Sequence, residues 1–546
     1  LTAAGSNAGS AGVGTEPDRW RCGVATCVAE SFFVAQRRFP QEILAANRKK
    51  MPVIGRAWLR EALSLRIPPV RTPASVQPVT RVGPGGGDSL AVPASVAPGS
   101  DDPLDHVLFA LKHEGTDLQV LSAAIRHIPA ARMESEVRRR PTGSYVRKAA
   151  WLWEHFNETA LGVSSPATNF VPLFDPKLYV AGPSREVSTR WRVFFDGFGS
   201  LDGCATVRRT PALERKLDVD VLGEAKQFAE QVGPRMLDRA LAWAYLDETE
   251  SSFEIERERP PADKREAFAD LLRQAGSIGP LTEDLLVDLQ SRVVTNASDQ
   301  AHGWRQEQNW LRGGSRGAAG VTYVPPPPEA VPELMSGLMA LSNATAAADP
   351  LVVAAIVSFG FVFIHPFMDG NGRLSRFLVH HQLGRSGQLP KGFVLPVSVA
   401  MKRHEARYRE VLESFSKPVR ALWSVTKIDD HDFDPRFRGD AGVYRYRDAT
   451  EAVEFVVDMA RESLERDLRD ETVRLGAFDV VREAVDARFD IRASVLATLI
   501  HIALDADGTI SDRKRARFAS QVPAGAFEAI EEEVRQVLGS QLRPAP

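Results

Sequence analysis

Between Asp349 and Arg376 the chain passes from a nearly continuous apolar run into a glycine-rich loop and out through two arginines. That order is a strong constraint, because the apolar run must be buried while the polar loop behind it needs access to a partner. Asp349 suits an N-cap and Pro350 the first helical position. The run from Leu351 to Ile364 is rich in β-branched residues, so a buried strand is the rival to a helix. It falls short of the ~18 apolar residues of a membrane span. We read it as a buried helix that delivers His365 into a cleft. Past Asp369-Gly370-Asn371-Gly372, the residues Leu374, Phe377, Leu378 and His381 recur at helical spacing, so the glycine loop opens a second helix.

The residue types in this loop suit phosphate chemistry. Glycines let backbone N–H groups approach an anion. A helix N-terminus favours one through its free N–H groups and its dipole. Arg373 and Arg376, three apart, present two guanidinium forks on one face of the first turn. His365 is a candidate general base and Asp369 a candidate metal ligand. The third glycine of a dinucleotide fingerprint is missing, and no GxxxxGK[ST] loop occurs.

The string HPFMDGNGRLSR, residues 365–376, resembles the HPFx(D/E)GNGRxxR signature of the Fic family, which transfers nucleotide monophosphates onto protein hydroxyls. The resemblance implies His365 as general base on the target hydroxyl and Asp369 as the holder of Mg²⁺. It implies Gly370, Asn371 and Gly372 as the anion hole, with Arg373 and Arg376 binding the β- and γ-phosphates of ATP. Relatives with Lys at the second loop glycine phosphorylate instead, and Gly372 therefore points to AMP transfer.

Upstream, Ser252-x-x-x-Glu256 resembles the inhibitory (S/T)xxxE(G/N) motif of many Fic proteins, in which the Glu takes the signature's second arginine, here Arg376. Arg257 stands where Gly or Asn is usual. Gly would allow a left-handed helix end, and Arg at this position predicts a different local geometry. Gln308-Asn309-Trp310 through Tyr323-Val324-Pro325 reads as a hairpin around a glycine-rich loop. It resembles the Fic flap, which registers a target protein by strand addition. Tyr408 falls where relatives place an aromatic residue near adenine.

These features predict a mainly α protein: a Fic helical core with a β-hairpin flap, flanked by helical N- and C-terminal regions. The expected divisions are a low-complexity N-terminal region and linker over 1–103, a helical domain over 104–235, the core with its inhibitory helix and flap over 236–425, and a helical domain over 426–546. A net charge of −3 offers nothing to bulk nucleic acid or to a membrane. Three cysteines, Cys22, Cys27 and Cys204, suit a reducing cytoplasm. The expected function is autoinhibited protein adenylylation on a Ser, Thr or Tyr hydroxyl. The alternatives are another nucleotide, AMP removal, or a regulatory binding protein acting through its flanking helices. Fic relatives often autoinhibit as dimers, which leaves a homodimer open.

Overall fold

The computed structural model describes residues 52–164, 167–183, 186–344, 348–429 and 432–541. Cys22, Cys27 and the first 51 residues of the expected low-complexity region lie outside these residues. The chain divides into two compact units, one built mainly from residues up to Val163 and one from Ser164 onward.

In the first unit, residues 68–103 do not form the expected linker. Strands β1 (Val53–Ile54), β2 (Ala74–Val76), β3 (Gly83–Pro84) and β4 (Leu90–Val92) make a four-stranded sheet in the order β1-β2-β4-β3. Ile54, Ala74, Val92 and Phe109 close a small core on it. Val92 is therefore a core residue, and Val76, Val82 and Val96 pack against it from short strands and turns. Helices α1 (Gly55–Ala62), α2 (Pro103–Phe109), α3 (Leu118–Ile125), α4 (Ala130–Arg139) and α5 (Ser144–Asn157) complete this unit. The backbone N–H of Arg56 at the start of α1 donates to the Glu114 carboxylate (2.8 Å), satisfying a helix-end donor across the unit.

The second unit departs from the expected all-helical course over its first stretch, Ser164 to Thr206. Strands β5 (Val171–Pro172), β6 (Val187–Ser188) and β7 (Val193–Phe194) form one sheet, and β8 (Phe198–Ser200) pairs with β9 (Gly203–Thr206) in another. Helices α6 (Pro211–Leu217), α7 (Val221–Val232), α8 (Pro234–Ile255), α9 (Ala262–Gln274) and α10 (Glu283–Val293) follow. A hairpin of β10 (Leu311–Arg312) and β11 (Val321–Tyr323) comes next, antiparallel as expected, with a register shift between Leu311 and Arg312.

Then come α11 (Val331–Asn343), α12 (Pro350–Ile364), α13 (Asn371–Arg385), α14 (Val397–Arg403) and α15 (Glu405–Arg420). The apolar run is thus helix α12, not a strand. Asp349 caps it by accepting from the N–H groups of Leu351 (2.8 Å) and Val352 (3.4 Å). Nearly all its residues are buried, which explains the apolar composition on every face.

The boundary expected at 425/426 does not separate a domain. Strand β12 (Tyr446–Asp448) pairs in parallel with β9. Helix α16 (Thr450–Glu462) contributes Val453, Phe455, Val456 and Val457 to the same core as α12 and α13. Beyond it, Phe478, Val481, Leu496, Leu499 and Ile530 form a separate C-terminal core. Among the described residues no helix is long and apolar enough to cross a membrane.

Candidate active site

Helix α12 ends at His365, whose φ of 54° is left-handed, an uncommon conformation for a residue with a Cβ. Its imidazole is buried, and Nδ1 lies 3.2 Å from the Val362 carbonyl oxygen. A carbonyl only accepts, so Nδ1 carries the proton and Nε2 keeps its lone pair. Burial, assisted by the nearby Arg305 cation, lowers the His365 pKa to about 4. The ring is neutral at physiological pH, the form a base requires.

Arg305 escaped the sequence reading. It is buried, and desolvation lowers its pKa to about 10. Its Nε donates to the His365 carbonyl (2.8 Å) and Nη1 to Glu307 O (3.0 Å). Nη2 donates to Pro326 O (2.5 Å), and the Arg305 backbone N–H donates to Pro366 O (2.8 Å). One guanidinium thus ties the base of the hairpin to the loop that carries His365. The hairpin adds a second tie, because the Tyr323 hydroxyl donates to Phe363 O (2.5 Å).

The loop is shaped from within. Asn371 Oδ1 accepts from Phe367 N–H (3.0 Å), and its Nδ2 donates to Phe367 O (2.8 Å). Its side chain therefore braces the turn, and only its backbone faces the anion position expected for it. Gly370 has a φ of 84°, and the Leu374 N–H to Gly370 carbonyl bond (3.0 Å) opens α13. The N–H groups before it have no partner within the helix, the usual state of a helix start.

Both arginines are fully buried and engaged. Arg376 Nη1 donates to Glu256 Oε1 (2.9 Å), Nε to Ser252 Oγ (2.9 Å) and Nη2 to the Ser252 carbonyl (2.6 Å). Burial raises the Glu256 pKa, but the neighbouring cations, Arg376 foremost and Arg373 with it, together hold the carboxyl below its usual range. A Cβ on Gly372 would lie 2.0 Å from Glu256 Oε1, so the glutamate sits directly against the loop. Arg373 Nη1 pairs with Glu258 (2.7 Å) and Nη2 with Asp369 (2.9 Å), with the Phe253 ring 5.1 Å from the guanidinium.

The chain end that presents these carboxylates also differs from expectation. Arg257 does not change the local geometry. It takes φ 61°, with Arg257 N–H on Glu254 O (2.8 Å) and Glu258 N–H on Phe253 O (3.1 Å). This is the Schellman ending that Gly usually supplies, formed here with a side chain in the left-handed position.

Tyr408 is buried in the core. Its ring stacks on Phe455 (5.6 Å, 20°), and its hydroxyl lies close enough to Arg376 to feel that cation. It meets the site through its oxygen rather than by offering a ring face to a base.

The Fic/DOC family pattern matches residues 280–383, which span α10, the hairpin, α12, the loop and most of α13. The chain carries a Fic/DOC domain. Among curated proteins it is similar to protein adenylyltransferase fic-1 of Caenorhabditis briggsae, 40% identical over 77 residues, 14% of this chain and 15% of that protein. Protein adenylyltransferase Fic of Culex quinquefasciatus is 34% identical over 131 residues, 23% of each chain. A probable protein adenylyltransferase of Aquifex aeolicus is 27% identical over 210 residues, 36% of this chain and 63% of that one. The match spans less than a quarter of the length of the first two. Among solved structures, a Fic family protein from Desulfovibrio desulfuricans aligns over 58% of this chain and 87% of its own, with 21% identity and a TM-score of 0.33. Fic-1 of Caenorhabditis elegans aligns over 65% of this chain and 99% of its own, with 16% identity and a TM-score of 0.31.

Proposed function

We propose that this Fic-domain protein is a protein adenylyltransferase, held in a resting state by Glu256. The supporting observation is the Fic loop with His365 at its head: a neutral imidazole whose Nε2 lone pair is free, followed by a glycine loop and two arginines at a helix start. In the reaction, a Ser, Thr or Tyr hydroxyl of the target attacks the α-phosphorus of ATP. The O–P bond to the target forms, the bond to the β-phosphate bridging oxygen breaks, and pyrophosphate leaves. His365 Nε2 takes the hydroxyl proton. The loop N–H groups stabilise the charge on the transferred phosphoryl group.

Mg²⁺ shared with a polyphosphate needs only one or two protein carboxylates. Asp369, with a side chain about one-third exposed beside the loop, would be the residue to hold it. When bound, the ion neutralises charge on the phosphates. The hairpin, with Thr322 exposed between buried Val321 and Tyr323, is suited to registering a target segment by backbone pairing.

The clamp of Ser252 and Glu256 on Arg376 keeps that cation from the nucleotide. The test is transfer of label from α-³²P-ATP with Mg²⁺ to protein. Glu256→Gly is expected to label and the unaltered chain to stay near background. His365→Ala in the Glu256→Gly background is expected to lose about 10²- to 10⁴-fold of that rate. Persistence of labelling in the double variant would exclude His365 as the base. Transfer from UTP or CTP instead of ATP would change the nucleotide and keep the chemistry.

A further inference from the structure

Glu256 accounts for Arg376, but the first arginine of the loop is also held, and by different groups. Arg373 is 1% exposed in its side chain, and both terminal nitrogens are taken, by Glu258 (2.7 Å) and Asp369 (2.9 Å). The Phe253 ring lies against the guanidinium. Glu258 is itself anchored: its N–H closes the Schellman turn on Phe253 O, and Thr295 Oγ1 lies 3.4 Å from its carboxylate. The left-handed residue Arg257 turns the chain so that Glu256 and Glu258 both face the loop while Arg257 remains exposed. Glu254, two residues earlier, pairs instead with Lys402, so the alternation of acidic residues is not one uniform face.

We infer that Glu258 is a second positioning carboxylate of the phosphate site, which holds Arg373 and, through it, Asp369 in an arrangement that competes with the magnesium polyphosphate. This rests on the adenylyltransferase reading for its physiological ligand, but the anion site it describes can be tested without turnover. The two carboxylates have separable effects. Glu256 at Arg376 sets whether a bound nucleotide is productively placed. Glu258 at Arg373 sets how tightly the phosphates bind, because an incoming phosphate must compete with it for the same guanidinium. Asp369 is freed for a cation only when phosphate oxygens take over its share of Arg373.

The experiment measures equilibrium binding of inorganic tripolyphosphate and of ATP, each with Mg²⁺, to the full chain and to Glu258→Gln, Glu256→Gly and the double variant. Labelling from α-³²P-ATP is followed in parallel. Glu258→Gln is expected to tighten tripolyphosphate binding on the order of tenfold while transfer stays silent, since Glu256 still holds Arg376. Glu256→Gly is expected to start transfer with a high KM for ATP, and adding Glu258→Gln is expected to lower that KM with little change in kcat. Should Glu258→Gln not fold, Glu258→Asp, one carbon shorter, is expected to give the same gain in binding. Equal tripolyphosphate affinity in folded Glu258 variants and the unaltered chain would overturn the inference, as would no binding in any of them. Tighter tripolyphosphate binding without transfer in any variant would support the inference and defeat the adenylyltransferase reading. Transfer by Glu256→Gly with no Glu258 effect would do the reverse.

Discussion

Arg257 and His365 both hold left-handed backbone conformations without being glycine. Such a position costs a residue with a Cβ about 1–2 kcal/mol. At Arg257 the geometry is what brings Glu256 and Glu258 to the loop, and the exposed side chain gains nothing visible from it. Arg257→Gly is therefore expected to stabilise the protein by about 0.5–1 kcal/mol, after allowing for the freer unfolded chain. The midpoint of denaturant unfolding would show it, and an unchanged or lower midpoint would contradict it. At His365 the strain sits at the proposed base, and functional sites are a common location for it. With a folded pKa of about 4 against 6.5 ordinarily, the imidazole is neutral throughout the neutral range. Transfer by the Glu256→Gly variant should show no imidazole limb between about pH 6 and 8. The sign for stability follows from the same shift. Between pH 6.5 and 4 the unfolded chain binds the extra proton, so this contribution is complete above 6.5 and is lost as pH falls toward 4. A rate that halves near pH 6.5 would show that His365 is not buried as described.

At the scale of elements, the site depends on how helix α12, the loop and the hairpin are held together. Arg305 donates to carbonyls of both the hairpin base and the loop that carries His365. Arg305→Met keeps much of the side-chain volume and removes those donors. We expect kcat of the Glu256→Gly background to fall by about 10²-fold through misplacement of His365, with little change in KM for ATP. A change confined to KM would instead place Arg305 in nucleotide binding. Helix α13 makes a close approach at its far end, where a Cβ on Gly384 would lie 2.6 Å from the Gly276 Cα. Backbone cannot yield as a flexible side chain does, so Gly384→Ala should destabilise by about 1–3 kcal/mol. Thermal unfolding reads this directly.

At the scale of the second unit, the Fic/DOC region does not own its core. Phe455 on α16, well beyond the C-terminal end of the matched region, stacks on Tyr408 and meets Phe359 of α12 edge-on. Strand β12 completes the sheet of β8 and β9 from the same distant segment. Phe455→Ala is expected to cost about 3–5 kcal/mol. It should also lower transfer, because the Tyr408 ring it supports lies beside Arg376. Full stability in that variant would show that the C-terminal segment only decorates the core.

What the sequence by itself determined was local. The cap at Asp349, helix α12, the glycine loop and the hairpin are written in neighbouring residues, where spacing has a direct geometric meaning. Ser252 and Glu256 were legible because the pattern is compact, and their partner Arg376 because it sits in a fixed signature. Residues 68–103 were misread because strands of two or three residues leave too little alternation to distinguish from a linker. Glu258 and Arg305 carry no local signal: one is another acidic residue in a charged segment, the other an arginine before a hairpin. Only the tertiary structure decided that Glu258 meets Arg373, that Arg305 reaches His365 and that Phe455 backs Tyr408. Those pairings join residues far apart along the chain, where burial and chain path select the partner and residue type alone does not.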